Sequence, residues 1–135
     1  MENTPAKKVL ILDDDQAILD VLKQALTDNE YEVKTLGSTE DIIDEIEIYQ
    51  PEVVLLDYLL PRINGGELCH QIKSNRLTRH LSVILCSAYP RVLYSLQEDY
   101  GCDAFLEKPF DLSTLLDTIG YFSGKVIGER YQGGR

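Results

Sequence analysis

Five short apolar runs of strand length recur along the chain, at Lys8 to Leu12, Tyr31 to Leu36, Glu52 to Leu56, Ser82 to Cys86 and Ala104 to Leu106. Several, such as Val53-Val54-Leu55-Leu56, are continuous rather than alternating, which is the pattern of strands buried on both faces. Between them lie segments with helical spacing. Ile18, Leu22, Ala25 and Leu26 form one stripe, Ile42, Ile46 and Tyr49 a second, and Leu112, Leu115, Leu116 and Ile119 a third. Leu68 with Ile72, and Val92 with Leu96 and Tyr100, mark two shorter ones. Strand followed by helix, five times over, needs right-handed crossovers and yields a parallel sheet with helices on both faces. The expected fold is an α/β three-layer sandwich with a five-stranded parallel sheet and five helices.

Local signals set the boundaries. Ser38 ahead of Thr39, Glu40 and Asp41 reads as a capping box opening the second helix, and Pro51 ends that helix before the third strand. Asn64-Gly65-Gly66 makes a turn ahead of the third helix, and Pro90 suits the first turn of the fourth. From Ser123 to Arg135 the chain is rich in glycine and basic residues and has no periodicity. Residues 1–122 are therefore expected to form one folded domain, and 123–135 a flexible tail or the start of a linker.

A length of 135 residues suits a single domain with a full core. Asp plus Glu outnumber Lys plus Arg by 23 to 13, and the net charge of −10 opposes direct binding to nucleic acid or to an anionic membrane surface. Cys69, Cys86 and Cys102 are far apart and include no C-x-x-C pair. That spacing fits neither a disulfide framework nor a zinc site, so each is read as a small apolar filler in a reducing cytoplasm. No apolar stretch near the amino end is longer than Val9 to Leu12, too short for a signal peptide or a membrane anchor.

In open parallel α/β sheets the ligand crevice lies beyond the carboxyl ends of the strands. Those ends carry Asp13-Asp14-Asp15 after the first strand, Asp57 after the third, Ser87 after the fourth and Lys108 after the fifth. Carboxylates gathered at one point raise one another's pKa unless a cation sits among them, and oxygen-only ligands favour Mg²⁺ or a similar hard ion. Asp57, leaving a wholly apolar run, is placed to act as a nucleophile. Asp15 has a plainer role, as the cap of the first helix, and that reading is preferred over metal binding. His70 and His80 fall on or near the third helix and the loop after it, away from every strand end, and are not assigned as ligands.

Four stretches, Val9 to Asp15, Val53 to Pro61 with Asn64-Gly65, Val83 to Ala88, and Phe105 to Phe110, resemble the receiver domains of two-component response regulators, over residues from about Lys7 to Phe122. The resemblance implies a flavodoxin-like sheet of strand order 2-1-3-4-5. It implies a phosphoacceptor signalling domain rather than an enzyme with separate substrate turnover. Asp57 would take a phosphoryl group from a sensor histidine kinase, a phosphotransfer protein or a small phosphodonor, forming an acyl phosphate. Asp13, Asp14, Asp57 and the backbone carbonyl of Leu59 would bind Mg²⁺. Lys108 would meet a phosphoryl oxygen as a point charge, and Ser87 would donate its hydroxyl to another. Phe105 stands at the position of the family's switch aromatic. Movement of Ser87 toward the phosphate would leave room for that ring to turn inward. The face made by the fourth helix, fifth strand and fifth helix, residues about 91 to 122, would then change shape for an output partner, a fused output domain or a phosphorylation-dependent dimer.

Several positions depart from the family pattern or bear on it. Phe105 lacks the hydroxyl of the commoner Tyr, leaving a purely steric switch. Leu59 and Tyr89, two residues after Asp57 and Ser87, offer no carboxylate or amide to orient attacking water, so a slowly self-hydrolysing phosphoform is expected. Asn29-Glu30-Tyr31 lacks the glycine often found in that turn, which is read as neutral for function. Lys108-Pro109 is a candidate for a cis peptide, which X-Pro bonds permit cheaply.

Two rival functions stand beside this reading. Asp13 and Asp15 supply the Asp-x-Asp of a haloacid-dehalogenase-like phosphohydrolase, but that pattern wants Thr or Val where Ala17 stands, and the chain has no room for a cap domain. The other rival is a docking module of the same fold that works without phosphorylation; Asp13, Asp14, Asp57, Ser87 and Lys108 are all present, so nothing marks degeneration.

Overall fold

The computed structural model describes residues 5–89 and 101–124. Its elements run β1 (Lys8–Leu12), α1 (Gln16–Asp28), β2 (Glu32–Leu36), α2 (Ile42–Tyr49), β3 (Val53–Asp57), α3 (Gly65–Ser74), β4 (Ser82–Ser87), β5 (Ala104–Glu107) and α4 (Leu112–Ser123). The five strands form one parallel sheet in the order β2-β1-β3-β4-β5. Four helices are present among the described residues, against five expected. The remaining one, the stripe from Val92 to Tyr100 opened by Pro90, falls outside the described residues, as does the tail beyond Gly124.

The unbroken apolar runs are accounted for by two cores, one on each face of the sheet. Because side chains alternate along a strand, Leu10, Leu12, Val54, Leu56, Val83 and Leu85 point to one face, where they meet Ile42 and Ile46 of α2 and Leu68 and Ile72 of α3. Val9, Ile11, Val53, Leu55, Ile84 and Cys86 point to the other, against Leu19, Leu22 and Leu26 of α1 and Leu115 and Ile119 of α4. A strand covered on both sides has no reason to alternate in polarity, and β3 is buried throughout.

Helix caps follow the sequence signals in most places. Asp15 caps α1, its carboxylate accepting from the amides of Ala17 at 3.0 Å and Ile18 at 3.4 Å. Asn64 caps α3 through the Glu67 amide at 2.8 Å. The capping box expected at Ser38 does not form. Asp41 is the cap of α2, with extended backbone and its carboxylate accepting from the Asp44 amide at 3.1 Å, while the Thr39 hydroxyl accepts from the Asp41 amide at 3.1 Å. A box based on Ser38 would need Asp41 already inside the helix, and at φ −155° it is not. At the carboxyl end α4 runs through Ser123, one residue past the expected boundary; Ser123 is buried, and Gly124, at φ +79°, supplies the left-handed residue that stops the helix. Glu30 also takes a left-handed φ of +71° in the turn between α1 and β2, where glycine would be free of strain. Replacing Asp41 by Ala is expected to cost about 1 kcal/mol in urea unfolding, and Ser38→Ala within about 0.5 kcal/mol of nothing; equal losses at the two positions would restore the capping box.

Candidate functional site

Strand register brings the acidic residues together. In the β1–β3 pair Leu12 lies opposite Leu56, so the next step along both strands sets Asp13 beside Asp57. In the β4–β5 pair Ser87 lies opposite Glu107, and the Lys108 amide donates to the Ser87 carbonyl at 2.8 Å. The four strand ends named from the sequence therefore meet at one edge of the sheet. The Asp13 amide is held by Leu36 O of β2 at 3.1 Å, and the Tyr58 amide by Cys86 O of β4 at 2.8 Å, so neighbouring strands fix the backbone on either side of the site.

Asp13 is 4% exposed and Asp57 8%. The Lys108 ammonium bridges them, 2.9 Å from Asp13 Oδ2 and 2.9 Å from Asp57 Oδ1. Asp13 Oδ1 accepts from the Asp15 amide at 2.9 Å. Asp14 is exposed and completes a group of three carboxylates that offer one oxygen each within 4.8 Å of one another. Asp15 is not in that group, its carboxylate being spent on the α1 cap. Three carboxylates against one ammonium leave two negative charges, and oxygen-only donors at that separation suit a hard divalent cation. Electrostatics agree with the geometry. Burial pushes the Asp57 carboxyl above the usual carboxylate range, Lys108 pulls it down, and the charges of Asp13 and Asp14 push it up again. Burial by itself would lower Lys108, but its hydrogen bonds to Asp13 and Asp57 outweigh that and raise it.

Ser87 is buried, and its hydroxyl oxygen accepts from the Tyr89 amide at 2.9 Å. Phe105 is 8% exposed, packed in the core on the α2 and α3 side of the sheet. Leu59 and Tyr89 flank the site as exposed side chains, 55% and 54%. The Lys108-Pro109 peptide is cis. His70 and His80 are exposed and stand apart from the carboxylate group.

Gly65 carries a constraint that its place in a turn did not disclose. A Cβ there would fall 2.3 Å from the Asp57 carbonyl oxygen and 2.9 Å from Leu85 Cδ1, while the Gly65 amide donates to Tyr58 O at 2.8 Å. The first turn of α3 thus packs directly against the backbone of the strand end that carries Asp57. An apolar hollow, lined in part by Ile18 and Val21 of α1 and by Phe110 and Leu112, opens beside Lys108. No local pattern marks it, since its walls come from distant parts of the chain.

Fold and site together define the class, a parallel α/β domain with an acidic crevice at its strand ends, and the comparisons give the family. The response regulator receiver domain model matches residues 9–120, and the chain belongs to that family. The response regulator MprA of Mycolicibacterium vanbaalenii is 33% identical over 110 residues, 81% of this chain and 47% of its own length. The chain thus spans about half the length of the curated relatives it matches. Among solved structures, a CheY-like receiver domain protein of Methanospirillum hungatei superposes with a TM-score of 0.79 at 30% identity, covering 89% of this chain and 95% of that one. The response regulator DrrB of Thermotoga maritima, an OmpR/PhoB homolog, gives 0.74 at 29% identity, over 95% of this chain and 58% of its own. The phosphohydrolase alternative falls away with this family match and with the use of Asp15 as a cap.

Because folding raises the pKa of Asp57, the folded chain binds that proton more tightly than the unfolded chain. Ionised Asp57 therefore costs stability above its folded pKa, a cost that fades as pH falls through that value and is gone below the unfolded one. In metal-free buffer Asp57→Asn is expected to raise the melting temperature at pH 7 by a few degrees, with the gain shrinking as pH falls through the folded pKa of Asp57 and gone below about pH 4. A variant less stable than wild type at pH 7 would contradict the sign.

Proposed function

We propose that Asp57 is the phosphoacceptor of a receiver domain that takes a phosphoryl group from a histidine kinase, a phosphotransfer protein or a small phosphodonor. The observation that carries this is the pair of nearly buried carboxylates, Asp13 and Asp57, bridged by the Lys108 ammonium at 2.9 Å each. A carboxylate oxygen of Asp57 attacks phosphorus in line with the leaving group. Lys108 exchanges one carboxylate oxygen for a phosphoryl oxygen, a transfer that a compact ammonium on a flexible stem makes without reorienting a plane. Ser87 turns its hydroxyl from the Tyr89 amide to a second phosphoryl oxygen. Asp13, Asp14, Asp57 and the Leu59 carbonyl would hold Mg²⁺. When bound, the ion neutralises charge on the transferring group and holds it in line.

A protein donor is supported by the apolar hollow beside Lys108, which offers a partner contact area next to the reacting atoms. Among the described residues no helix is long and apolar enough to cross a membrane. A cytoplasmic setting and a folded unit ending near residue 122, with an output partner or output domain beyond it, complete the reading. Phe105 is already packed in the core and has no hydroxyl, so any change of its rotamer on phosphorylation is governed by packing alone.

Intact mass after incubation with acetyl phosphate tests the assignment: one phosphoryl adduct is expected that needs both Mg²⁺ and Asp57, and is absent in Asp57→Asn. No adduct, where calorimetry shows Mg²⁺ bound, would favour the phosphorylation-independent docking module. Lifetime is a separate matter. Leu59 and Tyr89 bring only apolar or phenolic groups to the mouth of the site, so the adduct is expected to persist. Combining Leu59→Asn with Tyr89→Glu should speed its decay roughly tenfold or more, measured by loss of the adduct with time.

A further inference from the structure

The fold brings together two of the three cysteines that sequence spacing left apart. Cys69 lies on α3 and Cys102 in the turn that leads into β5, and both belong to the same apolar core, 0% and 6% exposed. Independent contacts bracket the pair. Lys73, one helical turn beyond Cys69 on the same face of α3, pairs with Asp103 at 2.7 Å, and its side chain would lie 3.8 Å from a Cβ at Gly101. The same ammonium donates to the Leu81 carbonyl at 2.6 Å, anchoring the α3–β4 loop to this corner. Residues 69 and 73 therefore face residues 101 to 103, and the Cys102 thiol is hydrogen-bonded to Cys69. Cys86 belongs to the core on the opposite face of the sheet.

We propose that Cys69 and Cys102 are a dithiol site that a peroxide oxidises to a disulfide, fastening α3 to the turn that opens β5. The Cys69 sulfur, which receives the hydrogen bond, attacks one peroxide oxygen; the O–O bond breaks, one water leaves and a sulfenic acid remains. The Cys102 sulfur then attacks that sulfur, forming the S–S bond as the S–O bond breaks and its proton leaves with the second water. Two thiols lose two electrons in all, and hydrogen peroxide becomes two waters. The hydrogen bond between the two thiols puts the sulfurs within reach of each other inside one core. The hydrogen bond to Cys69, together with burial, keeps the Cys102 thiol protonated at neutral pH, which makes the reaction slow and dependent on opening of the 101–103 turn. The site is independent of the phosphoacceptor reading and can fail or stand without it.

The experiment is thiol counting on the folded chain exposed to hydrogen peroxide, then denatured and alkylated with N-ethylmaleimide. Wild type should fall from three alkylated cysteines to one, lose two hydrogens in intact mass, and yield a single linked peptide pair containing Cys69 and Cys102 that dithiothreitol separates. Cys86→Ala should keep the linkage and Cys69→Ser should lose it. The oxidised chain should melt roughly 10–15 °C higher than the reduced one, as loop closure over this length predicts. Three alkylated thiols after prolonged exposure would overturn the proposal. So would a linkage that includes Cys86, a bond between chains, or over-oxidation of one cysteine without a disulfide. If Cys69→Ser does not fold, the peptide map of the wild type decides alone.

Discussion

One ammonium set between two nearly buried carboxylates is the interaction on which the rest of the site depends. Asp13 and Asp57 repel each other where little water reaches them, and Lys108 is the group that makes the arrangement tolerable. Its bridge leaves the cluster short of positive charge once Asp14 is counted. A site left two charges negative suits a divalent cation, whose charge would offset the surplus.

Holding such a cluster in place needs backbone, since side chains that repel cannot position one another. Each strand end is tied to its neighbour: Asp13 to Leu36, Tyr58 to Cys86, and Lys108 to Ser87. Gly65 closes the set by letting α3 approach the Asp57 carbonyl more closely than any side chain would allow. Asp13 and Asp57 are therefore carried at strand ends between two packed cores, while the Ser87 hydroxyl accepts from the Tyr89 amide and Phe105 is held by packing. Leu59 and Tyr89 are exposed, two residues beyond Asp57 and Ser87 along the chain.

Much of this was legible in the sequence. The continuous runs Val9–Leu12, Val53–Leu56 and Val83–Cys86 specify buried strands, because a strand with two apolar faces has only the middle of a layered fold to occupy. Polar residues placed straight after those runs specify the site. The cap assignment succeeded where one residue decided it, at Asp15, while Gly65 and Gly66, read as part of a turn, are the first residues of α3 behind an Asn64 cap. At Ser38 several capping residues stand in a row, and the choice fell to Asp41 through the way the chain leaves β2.

Order and chemistry of the elements were thus set by local pattern, because the burial of alternating faces and the periodicity of helices are recorded residue by residue. Distances between remote residues were not. That Lys108 reaches both Asp13 and Asp57, that Gly65 abuts Asp57, and that Cys69 meets Cys102 were decided by the tertiary structure alone. Strand register and the docking of α3 set those contacts, and both arise from packing among the whole set of elements, which no single segment encodes.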